Sequence, residues 1–254
     1  MIRPPAFLYG LYERRLTKML HGARPPQHVG VMLDGNRRWA RSAGLEAAQG
    51  HQAGAERIAD LLTWCEETGI ERVTLWMLST DNLRRTEQEV TDLLEIIAGT
   101  VEKLARTRRW HLQLVGDMDL LPQPTAERLY AAEAHTSGVQ GLHVNIAVGY
   151  GGRHEIAGAV RSLIDEYVDS GRPLEELSES VTVEKIAQHL YTKGQPDPDL
   201  VIRTSGEQRL GGFLMWQSAH SEFYFCEAFW PDFRRVDFLR AMRDYSGRER
   251  RMGR

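Results

Sequence analysis

Val29-Gly-Val-Met-Leu33 runs directly into Asp34-Gly-Asn-Arg-Arg-Trp39, and the fold is read outward from that junction. The first stretch is an apolar run of strand type. The second turns towards Ala40-Arg-Ser-Ala-Gly44, and Gly50-His51 then opens a long amphipathic segment. A strand that ends in a carboxylate, a glycine and an asparagine before a helix can be an anion site. The first N–H groups of a helix lack intrahelical partners, and its dipole favours negative charge there. Gly35 lets a ligand come close to the backbone. Arg37 and Arg38 supply guanidinium groups that suit phosphate oxygens. Asp34 would repel a phosphate alone, which suggests a bridging cation, magnesium being usual beside phosphates. The ordinary alternative is a polar turn followed by a solvated charge run, and these residues alone leave both open.

Five more strand-like runs follow His28–Leu33: Arg72–Leu78, Trp110–Val115, Leu142–Val148, Leu200–Arg203 and Glu222–Phe225. Several are continuously apolar, as in strands buried on both faces. Helical spacing predicts helices over 6–20, 51–68, 87–106, 124–136, 152–168, 182–191 and 236–245. Thr86-Glu-Gln-Glu89 has the form of a capping box for the third of these. Strands alternating with helices indicate one α/β domain with a central, mainly parallel six-stranded sheet. Residues 171–180 read as a surface connection. Residues 1–27 form an N-terminal arm before a domain spanning 28–254.

The totals narrow the classes. The chain has 254 residues, 42% hydrophobic and 26% charged, with a net charge of −3, which argues against a general nucleic-acid binder. Two cysteines are too few for a disulfide framework or a Cys-rich metal site and fit a reducing cytoplasm. No apolar run approaches a membrane span. The first helix, with Arg14, Arg15 and Lys18 among its apolar residues, either packs on its own domain or rests on a membrane surface.

Ligands of open α/β sheets gather at the carboxyl ends of the strands. Here those ends read Asp34-Gly35-Asn36, Ser79 to Arg85, Gly116-Asp117, Gly149 to Arg153 and Arg203 to Arg209. Three of the five carry arginine and Arg37-Arg38 follow a fourth, which favours a polyanion. The chain contains no P-loop, no Asp-Asp pair, no His-Glu-x-x-His and no nucleophile elbow. Many arginines, the carboxylates Asp34 and Glu222, and large apolar helix faces suit a diphosphate head with a hydrocarbon tail.

The sequence resembles the cis-prenyltransferases, the undecaprenyl diphosphate synthase family, from about His28 to Gly253. The motifs that carry the resemblance begin with Asp34-Gly-Asn-x-Arg-Trp39, Gly50-His51-x-x-Gly54, Leu78-Ser-Thr-Asp-Asn82 with Arg85, and Asn145-Ile-Ala-x-x-Tyr-Gly-Gly-Arg153. Asp199-Leu-Val-Ile-Arg-Thr-x-Gly-Glu207, Arg209, Phe213-Leu-x-Trp-Gln217, Ser221-Glu-Phe-Tyr-Phe225 and Trp230-Pro-Asp-Phe233 complete them. The match looks closest to short-chain actinobacterial members that make a Z-farnesyl diphosphate.

The resemblance implies a hydrophobic tunnel between sheet and helices, and roles for named residues. Asp34 and Glu222 would hold Mg2+. Gly35, Asn36, Arg37, Arg38 and Trp39 would bind the allylic diphosphate, with His51 at the departing phosphate. Ser79 and Asn82 would position the homoallylic partner, with Arg85 beside the site, and Arg203, Arg209 and Gly211 would bind isopentenyl diphosphate. Arg251 and Gly253 would reach a partner subunit, so the resemblance implies a homodimer. Met77 and Leu83 stand where long-chain members have a small residue and a tryptophan, so a short product from geranyl diphosphate is expected. Ala47, Gln208 and Gly211 replace an arginine, a histidine and a serine. A longer-chain synthase and a non-catalytic scaffold subunit of the same fold are the alternatives.

Overall fold

A computed structural model describes residues 6–248. Its six strands are β1 (His28–Met32), β2 (Arg72–Trp76), β3 (His111–Val115), β4 (His143–Ala147), β5 (Leu200–Arg203) and β6 (Glu222–Phe225). They form one all-parallel sheet in the order β3-β4-β2-β1-β5-β6. The helices among the described residues are α1 (Ala6–Leu20), α2 (Asn36–Ser42), α3 (Ala47–Glu67), α4 (Glu87–Thr107), α5 (Gln123–Thr136), α6 (Gly152–Asp169), α7 (Leu177–Ser180), α8 (Val183–Ala187) and α9 (Arg235–Ser246).

The chain leaves β1 towards β2 on one side and later returns to β5 on the other. The strand order therefore reverses between β1 and β5. A crevice opens outside the carboxyl ends of strands at such a switch point, and Asp34 and Arg203 sit at its two lips.

Strand residues alternate between the faces of the sheet. Val29, Val31, Val73, Leu75, Val144, Ile146, Leu200 and Ile202 turn to one face and are buried with Ile58, Leu61, Leu62 and Cys65 of α3 and Leu93, Ile97 and Val101 of α4. Each of these leucine and isoleucine side chains contributes about 2 kcal/mol of burial. The other face is apolar only near the strand ends, where Met32, Val115, Ala147, Tyr150, Val201, Phe213 and Leu214 cluster. One step back lies a buried polar chain. His28 Nδ1 donates to the Pro196 carbonyl (2.8 Å), so its Nε2 accepts from the Thr74 hydroxyl (2.7 Å). Asn145 then donates to Thr74 (3.0 Å) and to Gln195 (2.6 Å). Three strands and the loop before β5 are tied together by bonds that satisfy otherwise costly buried groups.

The structure departs from the sequence reading in places. α3 starts four residues earlier than expected, because Glu46 and Gln49 form a reciprocal cap. The expected box at Thr86 is half made. Thr86 accepts from the Glu89 N–H at 3.4 Å, but the Glu89 carboxylate turns to Arg37 and Arg85. The helix expected over 182–191 ends at Ala187, and α7 falls inside the expected connection. α1 packs on α9 and buries Leu16.

Candidate active site

Gly35 adopts φ 107°, a left-handed conformation that turns the chain out of β1 and into α2. The motif Gly50-His51-x-x-Gly54 has a packing reason. A Cβ on Gly50 would lie 2.3 Å from the Asn36 carbonyl oxygen, and one on Gly54 would lie 2.3 Å from Asn36 Oδ1. The two glycines, one helical turn apart, let α3 press against the start of α2 and hold Asn36 in place.

The crevice above β1 and β5 is a cavity of about 670 Å³. The ends of β1, β2 and β5 line it; the ends of β3 and β4 do not. Gly149 to Arg153 instead braces the β2 end. Tyr150 donates its N–H to the Leu78 carbonyl and accepts from the Thr80 N–H, each at 3.1 Å. The Tyr150 hydroxyl in turn donates to buried Glu155 (2.5 Å), which also accepts from Tyr191 N–H (3.1 Å) and the Gln217 amide (3.0 Å). Burial, against those bonds, raises the Glu155 carboxyl above its ordinary value.

Three carboxylates each join two arginines in the cavity wall. Asp34 accepts from Arg38 (3.1 Å) and Arg203 (2.8 Å). Glu207 joins Arg38 (3.0 Å) to Arg209 (2.5 Å). Glu89 joins Arg37 (3.3 Å) to Arg85 (2.9 Å). Burial opposes ionisation of Asp34, but hydrogen bonds from Arg203 and Ser205 and the charges of Arg203 and Arg38 outweigh it and hold the carboxyl below its ordinary value. Arg203 is largely buried, and its Nη1 also donates to the Arg209 carbonyl. His51 faces the cavity with Nε2 buried and unpartnered. Burial, with the charges of Arg85 and Arg37, lowers its pKa to about 4, so it is neutral at pH 7. Ser79 and Asn82 cap one another, each side chain accepting the other's N–H at 3.1 Å.

Most of the expected site residues meet here. Asp34, Gly35, Asn36, Arg37, Arg38, His51, Met77, Ser79, Asn82, Arg85, Arg203, Arg209 and Gly211 all line the cavity. Trp39 does not, and Leu83 packs half-buried behind the wall. Arg251 and Gly253 lie outside the described residues. Glu222 is not brought to Asp34 within this chain. It opens β6, level with Leu200, at the other end of the sheet, and its carboxylate bonds to Arg248.

Sequence reasoning missed Glu207 and Trp76 as parts of the wall, and Glu89 as the partner of the wall's Arg37 and Arg85. Glu89 was read as a cap and Trp76 as part of a strand-like run, and nothing in their spacing marks them otherwise. Among the described residues no three His, Cys, Asp or Glu cluster as a metal cage. A hard divalent cation beside phosphates needs only one or two protein carboxylates, with phosphate and water oxygens completing its shell. Ionised Asp34, in a wall of arginines, fits a cation that arrives with a diphosphate.

Met77 and Leu93 are apolar residues of the cavity lining, and Leu61, Ile97 and Val101 are packed core in the cluster that includes Leu93.

A profile for the family described as putative undecaprenyl diphosphate synthase matches residues 32–253. A (2Z,6E)-farnesyl diphosphate synthase from Thermobifida fusca is 60% identical over 247 residues, 97% of each chain. A short-chain Z-isoprenyl diphosphate synthase from Mycobacterium leprae is 56% identical over 250 residues, 97% of this chain and 95% of the relative. Among solved structures, lavandulyl diphosphate synthase from Lavandula x intermedia, in complex with dimethylallyl diphosphate, superposes with a TM-score of 0.83 at 34% identity. That match covers 91% of this chain and 99% of the other.

Proposed function

The chain belongs to the undecaprenyl diphosphate synthase family of prenyltransferases, and from that premise we propose that it condenses isopentenyl diphosphate with a short allylic diphosphate. Geranyl diphosphate is the favoured acceptor, and the product is a short Z-prenyl diphosphate, (2Z,6E)-farnesyl diphosphate. The relatives named for that product support this reading, as do apolar Met77 and Leu93 in the cavity lining. A close-packed core against those side chains admits no further isoprene unit.

The observation that carries the reading is the Asp34–Arg203 pair at the strand-order switch, with arginines on both sides of it. Gly35, Asn36, Arg37 and Arg38 would hold the allylic diphosphate, whose C–O bond breaks with the electron pair leaving on the diphosphate. Arg203 and Arg209 would hold isopentenyl diphosphate. Its double bond forms the new C–C bond, and loss of a proton from its C2 leaves the Z double bond. Guanidinium groups already aimed at the leaving oxygens stabilise charge where it develops. Neutral His51 can lend a hydrogen bond to the departing phosphate. Mg2+, held by Asp34 and the substrate's own oxygens, would supply further neutralisation of the leaving group.

We propose that the enzyme works in the cytoplasm as a homodimer, its catalytic domain spanning residues 28–254. β6 supports this reading as an edge of the sheet among the described residues, with its own half-buried Phe223 and Phe225 stacked 6.2 Å apart. No helix among the described residues is long and apolar enough to cross a membrane. Leu11 and Met19 are exposed on α1 beside Arg15 and Lys18, which supports contact of that helix with a lipid surface.

Purified protein is incubated with labelled isopentenyl diphosphate, Mg2+ and either geranyl or farnesyl diphosphate, and the products are sized. A C15 product from geranyl diphosphate is expected. No product with either acceptor overturns prenyl transfer, and a product near C50 overturns the short-chain reading.

A further inference from the structure

Among the described residues, Trp76 is the single Phe, Tyr or Trp that lines the cavity, and its ring is held at a fixed tilt. One face stacks on Phe213 at 5.2 Å and 12°. The ring edge meets Tyr150 at 6.4 Å and 90°, and the indole N–H points to the Tyr150 carbonyl at 3.4 Å.

The register shows which way the other face looks. Trp76 is level with Met32, and Thr74 with Gly30. Phe213 lies over Gly30, 3.0 Å from where a Cβ would stand, one step nearer the amino ends of the strands. The Trp76 face not covered by Phe213 therefore turns towards the carboxyl ends, into the crevice. The space it meets is the one beside Arg203. A Cβ on Gly211 would lie 3.4 Å from Arg203 Nη1 and 3.5 Å from both Trp76 and the Met32 methyl.

Resting on the prenyl-transfer reading above, we propose that Trp76 is a catalytic residue whose π-face stabilises the tertiary carbocation formed on the isopentenyl unit. The electron balance places that cation. When the allylic C–O bond breaks, its pair leaves on the diphosphate. The isopentenyl C3=C4 pair then makes the bond from C4 to the allylic C1, and C3 is left with the positive charge until C2 gives its proton to an oxygen of the released diphosphate and the C2–H pair forms the new C2=C3 bond. C3 belongs to the substrate held at Arg203 and Arg209, whose charges oppose a cation nearby. The electron-rich indole face offsets that repulsion, and being neutral it does not compete with the guanidinium groups for the diphosphates.

The test varies ring electronics at constant shape. Protein is produced with tryptophan, monofluorotryptophan and more highly fluorinated tryptophans, in the native sequence and in Trp76→Phe. Single-turnover rates are measured with geranyl and isopentenyl diphosphates, alongside the Kd of isopentenyl diphosphate. In the native sequence the rate should fall stepwise with fluorine count, on the order of 10-fold across the series, with Kd changed less than about 3-fold. In Trp76→Phe the series should be flat, which separates Trp76 from the other five tryptophans. Trp76→Leu should lose at least about 10-fold in rate. A flat series in a native protein that turns over removes Trp76 from the chemistry, whatever Trp76→Leu does to folding. If unlabelled native protein turns over no diphosphate pair, the prenyl-transfer reading fails and this assignment falls with it.

Discussion

Arg203 Nη2 lies 2.8 Å from Asp34 Oδ2, so one guanidinium joins the end of β5 to the end of β1 across the strand-order switch. Its other terminal nitrogen bonds to the Arg209 carbonyl. A lysine has one donor head and cannot span both partners. Arg203→Lys should raise the KM for isopentenyl diphosphate at least about 10-fold while changing that for the allylic substrate far less. Equal rises in both constants would remove Arg203 from a subsite of its own.

Asp34→Asn keeps one acceptor oxygen for the arginines but removes the charge. The side chain is only partly buried, so the fold should persist, with a urea midpoint close to that of the native protein. Turnover should fall by at least about 100-fold at every Mg2+ concentration. Activity restored by excess Mg2+ would show that Asp34 only tunes metal affinity.

Met77→Ala and Leu93→Ala each remove apolar bulk from the cavity lining. Mass analysis of the products should show chains longer than C15, and the double variant should go furthest. An unchanged product from all three would mean that the stop lies elsewhere, with half-buried Leu83 the next residue to test.

Two glycines of long helices should respond in opposite directions. Gly54→Ala drives a methyl to within 2.3 Å of Asn36 Oδ1 and 2.8 Å of Trp230, and should cost about 1–3 kcal/mol while raising the KM for the allylic substrate. Gly99, inside α4, has nothing within 4 Å of a new Cβ. Gly99→Ala should stabilise by about 0.5–1 kcal/mol. Urea denaturation of both variants checks the contrast, and equal effects would count against the close approach of α3 to α2.

His28 is buried as the neutral ring, and burial lowers its pKa from 6.5 to about 4, with a further lowering by the charge of Arg72. Between those two values the unfolded chain binds more protons than the folded one, so stability falls as pH drops from about 6.5 towards 4. His51, also lowered to about 4, adds to the same slope. Urea midpoints taken from pH 7 to pH 4.5 should decline, and His28→Gln should flatten the decline. An identical slope in that variant would place the titration in other groups.

The sheet was largely legible in the sequence because its strands are short apolar runs between helices of clear periodicity, and strand ends found by pattern alone agree with the structure to within two residues. Asp34, Arg203 and Arg209 were legible as a polyanion site because they follow such ends. Glu222 was not. Its motif suggested a metal ligand, and in this chain its position as the first residue of β6 sets it level with Leu200, at the amino ends of the strands. Glu89 and Glu207 were hidden because their partners are distant in sequence: Glu89 reaches back to Arg37, and Glu207 to Arg38. Trp76 was hidden because an aromatic at a strand end reads as core until Phe213 shows which of its faces is covered.

Asp34, Glu89 and Glu207 together occupy five guanidinium groups, so the cavity behaves like a loaded ion exchanger, its fixed cations already carrying internal anions. An incoming ligand must outbid a tethered carboxylate for each arginine it takes. A diphosphate, with several oxygens and more than one negative charge, can do so. A prenyl alcohol cannot, and a monophosphate should bind more weakly than the tail contacts alone would predict. Competition by geranyl monophosphate and geraniol, compared in the native protein and in Glu207→Gln, reads this discrimination directly: it should narrow in the variant, and an unchanged gap would assign the selectivity to the arginines alone.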